Sequence, residues 1–135
     1  MYFIDSNIIV YANDLRDPEK QAKALSIIEQ SFLSAEGVLS VQVLQEYANT
    51  ALYKLHQDRG VVLNQIALLS QMKMVEPDSA LVARAVELTG LFPLSFWDAS
   101  IIAAAERAGC RRLLSEDLNP GQSYGMVEVN NPFVD

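Results

Sequence analysis

Short apolar runs alternate with stretches of helical periodicity along the whole chain, and this alternation restricts the fold more than any other feature. Residues 1–4 read as a buried strand, 37–41 as a second, 74–75 as a third ended by Pro77, 112–114 as a fourth and 126–129 as a last. Between the first two, Asp17-Pro18-Glu19 gives a helix start with proline at the first helical position. Ala22, Leu25, Ile28 and Phe32 then recur at helical spacing over residues 19–33. Val43, Leu44, Tyr47, Ala48, Ala51, Leu52 and Leu55 form one stripe of a second helix. Residues 61–72 give a third helix. Asp78 or Ser79 caps a fourth, running to about residue 89 with Gly90 just past its end. Ser95 caps a fifth, FWDASIIAAAERAG, which Gly109 stops. The pattern predicts an α/β fold with a mostly parallel sheet and helices on both faces. No repeat, low-complexity tract or long linker interrupts it, so a single domain is expected over residues 1–135.

The first strand runs straight into a charge. In MYFIDSNIIVYAN, Asp5 stands between two strongly apolar segments with only Ser6 and Asn7 for polar company. A buried carboxylate without a partner costs several kcal/mol and tends to escape by becoming neutral. Sheets of this kind bind ligands at the carboxyl ends of their strands, which is where Asp5 falls.

Three other acids occupy comparable positions. Glu46 lies beside the apolar stripe of the second helix, with no charged residue within three positions. Asp98 sits in the first turn of the fifth helix, and Asp117 closes LLSED directly after the fourth strand. Taken singly, Asp98 suits the helix dipole, Glu46 a solvated face and Asp117 the turn DLNPG. Taken together, they converge on the edge that holds Asp5 if the first strand is central. Four acids gathered there repel one another unless a cation sits among them. Mg²⁺ and Mn²⁺ take such oxygen ligands while keeping several waters, and Asn7 and Ser115 are neutral groups suited to orienting ligands or waters. A carboxylate-held metal with open waters points to phosphate chemistry, because it lowers the pKa of a bound water.

Other chemistries find little support. The one histidine, His56, lies on a polar stretch with Lys54 and Arg59, which excludes a histidine pair for acid–base cleavage of RNA. Cys110 is the only cysteine, so no internal disulfide forms and a reducing cytoplasm is the expected location. No phosphate-binding glycine loop and no G-x-S-x-G turn occurs. No secretory signal and no membrane-spanning run is read from the sequence. A phospho-acceptor domain would want paired acids after the first strand, and a D-x-D phosphatase fails because Asn7 takes the second acid's place. A net charge of −7 speaks against nucleic acid, although a bound dication reverses the local sign. Arg111 and Arg112, the group Arg16, Lys20 and Lys23, and the group Lys54, His56 and Arg59 are the basic residues that could rim such a site.

With FIDSN, the glutamate of LQEYAN, the SFWDASIIAAA helix, LLSEDLNPGQ and the closing NNPF in view, the sequence resembles the PIN-domain ribonucleases, in particular small single-domain VapC-type toxins. The resemblance implies a three-layer α/β/α sandwich and a metal site of Asp5, Glu46, Asp98 and Asp117, supported by Asn7 and Ser115. It selects Asp117 over the adjacent Glu116, because Ser115 then takes the hydroxyl position of the family pattern. Ser6 stands where many relatives have threonine. Mg²⁺ or Mn²⁺ as cofactor, endonucleolytic cleavage of RNA, a homodimer and a cognate antitoxin are further implications of the resemblance. A housekeeping nuclease without an antitoxin, or a non-catalytic relative that keeps its acids to bind a regulator, are the alternatives.

Overall fold

The computed structural model describes residues 1–134. In chain order the elements are β1 (Tyr2–Ile4), α1 (Ser6–Ala12), α2 (Pro18–Ser34), β2 (Gly37–Ser40), α3 (Val41–Tyr53), α4 (Arg59–Leu69), β3 (Lys73–Val75), α5 (Ser79–Leu91), α6 (Phe96–Arg107), β4 (Arg112–Leu114), β5 (Ser123–Tyr124) and β6 (Val127–Asn130). The six strands form one sheet in the order β3-β2-β1-β4-β6-β5, parallel except for the β5–β6 pair. Helices flank the sheet in the three-layer α/β/α arrangement expected from the sequence. Phe3, Ile4, Val38, Leu39 and Leu113 are fully buried, as strands covered on both faces require. No single helix among the described residues is long and apolar enough to cross a membrane.

Side-chain caps fix most helix starts. Asp17 accepts from the Lys20 amide, Ser40 from Val43, Asp58 from Gly60, Asp78 from Leu81 and Ser95 from Asp98. Ser40 therefore ends β2 and opens α3, one residue earlier than the apolar run suggests. Capping by Asp58 likewise starts α4 at Arg59, not at Val61, and the helix closes at Leu69. Gly109, at φ +76°, terminates the segment after α6 as expected. Gly90 does not act as a stop. Helix α5 runs through it to Leu91, and the chain leaves in extended conformation at Phe92.

Two elements escape the sequence pattern. Ile8-Ile9-Val10 looks like strand because all three residues are β-branched, yet it lies within α1, capped by Asp5 with Ile8, Ile9 and Ala12 in the core. The two-residue β5 is too short to carry a period. Gly37 marks a close approach: the Tyr2 and Ser31 hydroxyls meet at 2.9 Å beside it, and a Cβ on Gly37 would fall 2.5 Å from the Ser31 Cβ. Gly37→Ala is expected to destabilise the protein by about 1–3 kcal/mol through overpacking. Urea unfolding measures this; a midpoint equal to wild type would contradict the packing described.

Candidate active site

Strand β1 lies between β2 and β4, and the chain leaves it toward opposite sides of the sheet in its two halves. The carboxyl ends of β1 and β4 therefore flank the switch point, where open α/β sheets form their binding crevice. Leu114 pairs with Ile4 in register, so the next residues, Asp5 and Ser115, sit side by side. The Asp5 amide donates to the Leu114 carbonyl at 3.0 Å, extending the ladder by one step.

Asp5 is 5% exposed, and its carboxylate is held by neutral donors. One oxygen accepts from the Ser6 amide at 2.7 Å. The other accepts from the fully buried Ser115 hydroxyl at 2.7 Å and, more weakly, from the Asn7 amide at 3.4 Å. Burial drives the Asp5 carboxyl up to about 6; the Ser115 and Ser6 hydrogen bonds hold it down, while Glu46 and Asp117 push it further up. The sequence offers a metal for this carboxylate with Asn7 and Ser115 in support, and the fold has both of them donate to it, together with the Ser6 amide.

Asn7 ties the site together. Its Nδ2 reaches Ser115 Oγ at 3.1 Å and Asp117 Oδ2 at 3.2 Å as well as Asp5, and its Oδ1 accepts from the Glu116 amide at 3.1 Å. Ser115 Oγ also accepts from the Asp117 amide at 3.1 Å. Asp5 and Asp117, 112 positions apart in the sequence, thus share one amide nitrogen.

The neighbouring Glu116 lines the same groove as Asp117 but is paired there. Tyr11 donates to it at 2.7 Å and Lys20 at 2.6 Å, with the ammonium 4.5 Å from the centre of the Tyr11 ring. Of the two adjacent acids, Glu116 is neutralised by Lys20 and Asp117 faces the crevice. Spacing alone could not separate them, because Tyr11 and Lys20 are remote in sequence.

Glu46 is half-buried on α3, and Asp98 is half-buried in the first turn of α6. Burial raises the Glu46 pKa, hydrogen bonds to the side chains of Ser6 and Gln42 lower it, and the charges of Asp98 and Asp117 raise it again. The four acids therefore sense one another across the crevice: Asp5 with Glu46 and Asp117, and Glu46 with Asp98 and Asp117. No salt bridge reaches any of them among the described residues. Nor do three of them, among the described residues, converge tightly enough to enclose an ion by themselves. The donor set still fits a hard dication: oxygen atoms only, one carboxylate anchored, and no protein cation to balance the rest.

Three of the candidate basic residues, Arg112, Arg16 and Lys20, have partners of their own. Arg112 opens β4 opposite Tyr2, at the strand ends away from Asp5 and Ser115, with its guanidinium 5.5 Å from the centre of the Tyr2 ring. Arg16 grips the buried Asp14 through two nitrogens at 2.9 Å, and Lys20 grips Glu116. Arg16 nonetheless borders a groove that Ser6, Asn7, Tyr11 and Asp117 also line. It also borders an adjoining groove with Lys54. Gln42, Tyr11 and Trp97 are site neighbours that the sequence reading passed over; the proximity of Gln42 to Glu46 and of Trp97 to Asp98 were the available signals.

The chain belongs to the PIN domain family, whose model matches residues 2–121. Its fold is similar to that of a toxin–antitoxin complex from Klebsiella pneumoniae, with a TM-score of 0.71 at 18% identity over 98% of both chains. It is also similar to VapC20 of Mycobacterium tuberculosis, described as a sarcin–ricin loop cleaving toxin, with a TM-score of 0.68 at 17% identity over 87% of this chain and 90% of that one. FitAcB from Neisseria gonorrhoeae gives 0.66 at 17% identity, over 98% and 99% of the two chains. No curated protein sequence matches the chain significantly.

The anchored carboxylate has a pH signature. Asp5 binds its proton more tightly in the native state than at its ordinary value of 3.8. Its favourable contribution is therefore fully present below about pH 4 and is lost as pH rises through about 6, a swing of about 3 kcal/mol. In chelator, Asp5→Asn should accordingly gain on wild type by about that amount between pH 4 and pH 7 in urea unfolding. A difference independent of pH would show that Asp5 is not the strained group.

Proposed function

We propose that this protein is a divalent-metal-dependent RNA endonuclease and the toxin of a toxin–antitoxin pair. The observation that carries the reading is the group of four carboxylates at the switch point of a PIN fold with no basic side chain paired to them among the described residues. Mg²⁺ or Mn²⁺ would be held there by Asp5, Asp117, Asp98 and Glu46, and would supply an acidified water and charge neutralisation for the phosphate.

The chain's own residues have distinct tasks on this reading. Asn7 and Ser115 fix the rotamer of Asp5 and bring Asp117 beside it. Glu46, whose affinity for a proton is raised by burial and by its acidic neighbours, is the carboxylate suited to take the proton of the attacking water. Lys20 neutralises Glu116, so that four acids, not five, are left for a cation to balance. Charge on the dication, with Arg16 and Lys54 along the flanking grooves, offsets the net −7 where RNA would lie.

RNA as substrate and the toxin role draw support from the fold neighbours, of which one cleaves the sarcin–ricin loop and others were solved in complexes with their antitoxins. A cognate antitoxin and a homodimer are therefore part of the proposal. Val82, Val86 and Leu91 on α5 leave apolar area in solvent for such contacts. A cytoplasmic location follows from this role.

The test pairs wild type with an Asp5→Asn, Asp98→Asn double variant. Purified wild type should cut structured RNA when Mn²⁺ is present and not in chelator, and the variant should be inert. Mn²⁺ at about 100 times its Kd should stabilise wild type by about 2.7 kcal/mol, seen as a rise in Tm that the variant lacks. Equal cleavage by both proteins, or none by either with no metal-dependent Tm, would favour a non-catalytic interaction protein.

A further inference from the structure

Trp97 is the only tryptophan, and 64% of it is exposed although it adjoins one of the four acids. A residue of this size is costly to leave in water, and the core does not need it: Phe96 and Ala99, on either side of Trp97 and Asp98, do the packing. Its position is nevertheless fixed. Gln42 on α3 donates to the Trp97 carbonyl at 3.1 Å, and the Phe96 ring packs edge-on against the indole at 5.2 Å.

The indole borders a polar groove whose other walls are Gln42, Gln45, Glu46 and Asn49. These four lie on one face of α3, at spacings of three, one and three residues. Gln45 and Asn49 are exposed, and neither side chain hydrogen-bonds a protein group among the described residues. The groove thus combines an aromatic surface with carboxamides that both donate and accept, and it contains no cation. Phosphate is poorly served by such a lining. An unpaired base is well served, since its face stacks on an indole and its edge meets amide groups. The groove also reaches the acids through Glu46 in its wall, which feels the charge of Asp98.

We propose that Trp97 is the stacking platform for an unpaired nucleobase of the RNA substrate, with Gln45 and Asn49 reading its edge. The proposal rests on the nuclease reading above and narrows it to single-stranded or looped RNA next to the cut. Stacking would also explain how an acidic protein holds RNA with few phosphate contacts. Trp97 borders a second groove together with Gln42 and Gln45, its remaining wall largely apolar through Val75, Pro77, Leu81, Val82 and Phe96, which is the side a protein partner would prefer. The side that adds Glu46 and Asn49 favours RNA, because it adjoins the acids.

The lone tryptophan makes the test direct. Asp117→Asn protein, used to slow turnover, is titrated in Mn²⁺ with a single-stranded RNA, with its duplex and with inorganic polyphosphate, while Trp97 fluorescence is read. The single strand should quench the emission and the other two should not. In the wild-type background, Trp97→Ala should weaken RNA binding at least about fivefold and raise KM, while Trp97→Phe should recover much of the loss. The metal-dependent rise in Tm should survive in Trp97→Ala, which separates a lost base platform from a lost metal site. No quench by single-stranded RNA, or unchanged KM in Trp97→Ala, overturns the proposal while leaving the nuclease reading intact. A Trp97→Ala protein that cleaves normally but loses self-association would instead assign Trp97 to a protein interface. If wild type cleaves no RNA, the nuclease reading falls, and the absence of a quench would remove the platform as well.

Discussion

The contact on which the rest depends is the hydrogen bond from a fully buried serine hydroxyl to a nearly buried carboxylate, Ser115 to Asp5. It joins the exits of two adjacent parallel strands at the sheet's switch point. Asn7 then fastens the same pair to the start of α1 and to the loop after β4. One carboxylate consequently serves two ends. Its first oxygen caps α1, and its second anchors an acidic crevice. Because the donors are neutral, Asp5 is oriented without being neutralised, and the negative charge stays available to a cation. A lysine in place of those donors would have stabilised the fold and closed the site.

The same logic separates the site acids from the others nearby. Glu116 and Asp14 are each matched by a basic partner, Lys20 and Arg16, at 2.6 and 2.9 Å. Among the described residues, Asp5, Glu46, Asp98 and Asp117 have only one another and a few neutral groups. Burial and mutual repulsion raise the proton affinity of Asp5 and Glu46, an unfavourable arrangement that a dication would relieve on the proposed reading. On the proposed reading, acidic composition and phosphate chemistry are compatible, because the charge that meets the phosphate would belong to a bound ion.

Much of the fold was legible because strands buried on both faces read as unbroken apolar runs, and because Asp17, Asp78 and Ser95 are strong caps. Helix α1 was not, since its β-branched core residues imitate a strand and its cap looked like a functional residue alone. Gly90 misled because a glycine signals a helix end only where the chain turns left-handed, and here the helix continues. The four acids stood out by their odd positions at element ends, and the structure brings them within electrostatic reach of one another. Which acid of the Glu116–Asp117 pair faces inward depended on Tyr11 and Lys20, whose placement is a tertiary fact. The same holds for Arg112, which neighbours Asp117 in sequence but sits at the far end of the strand.

The central claim, that four acids distant in sequence share one dication, is tested most directly by titrating isotope-labelled protein with paramagnetic Mn²⁺ and following amide line widths by NMR. At low metal, broadening should begin together at the amides of Asp5, Asn7, Glu46, Asp98 and residues 115–117, leaving surface acids such as Glu19, Glu29 and Glu36 sharp. Broadening that starts at one acid alone, or spreads evenly over the acidic surface, would contradict a shared site.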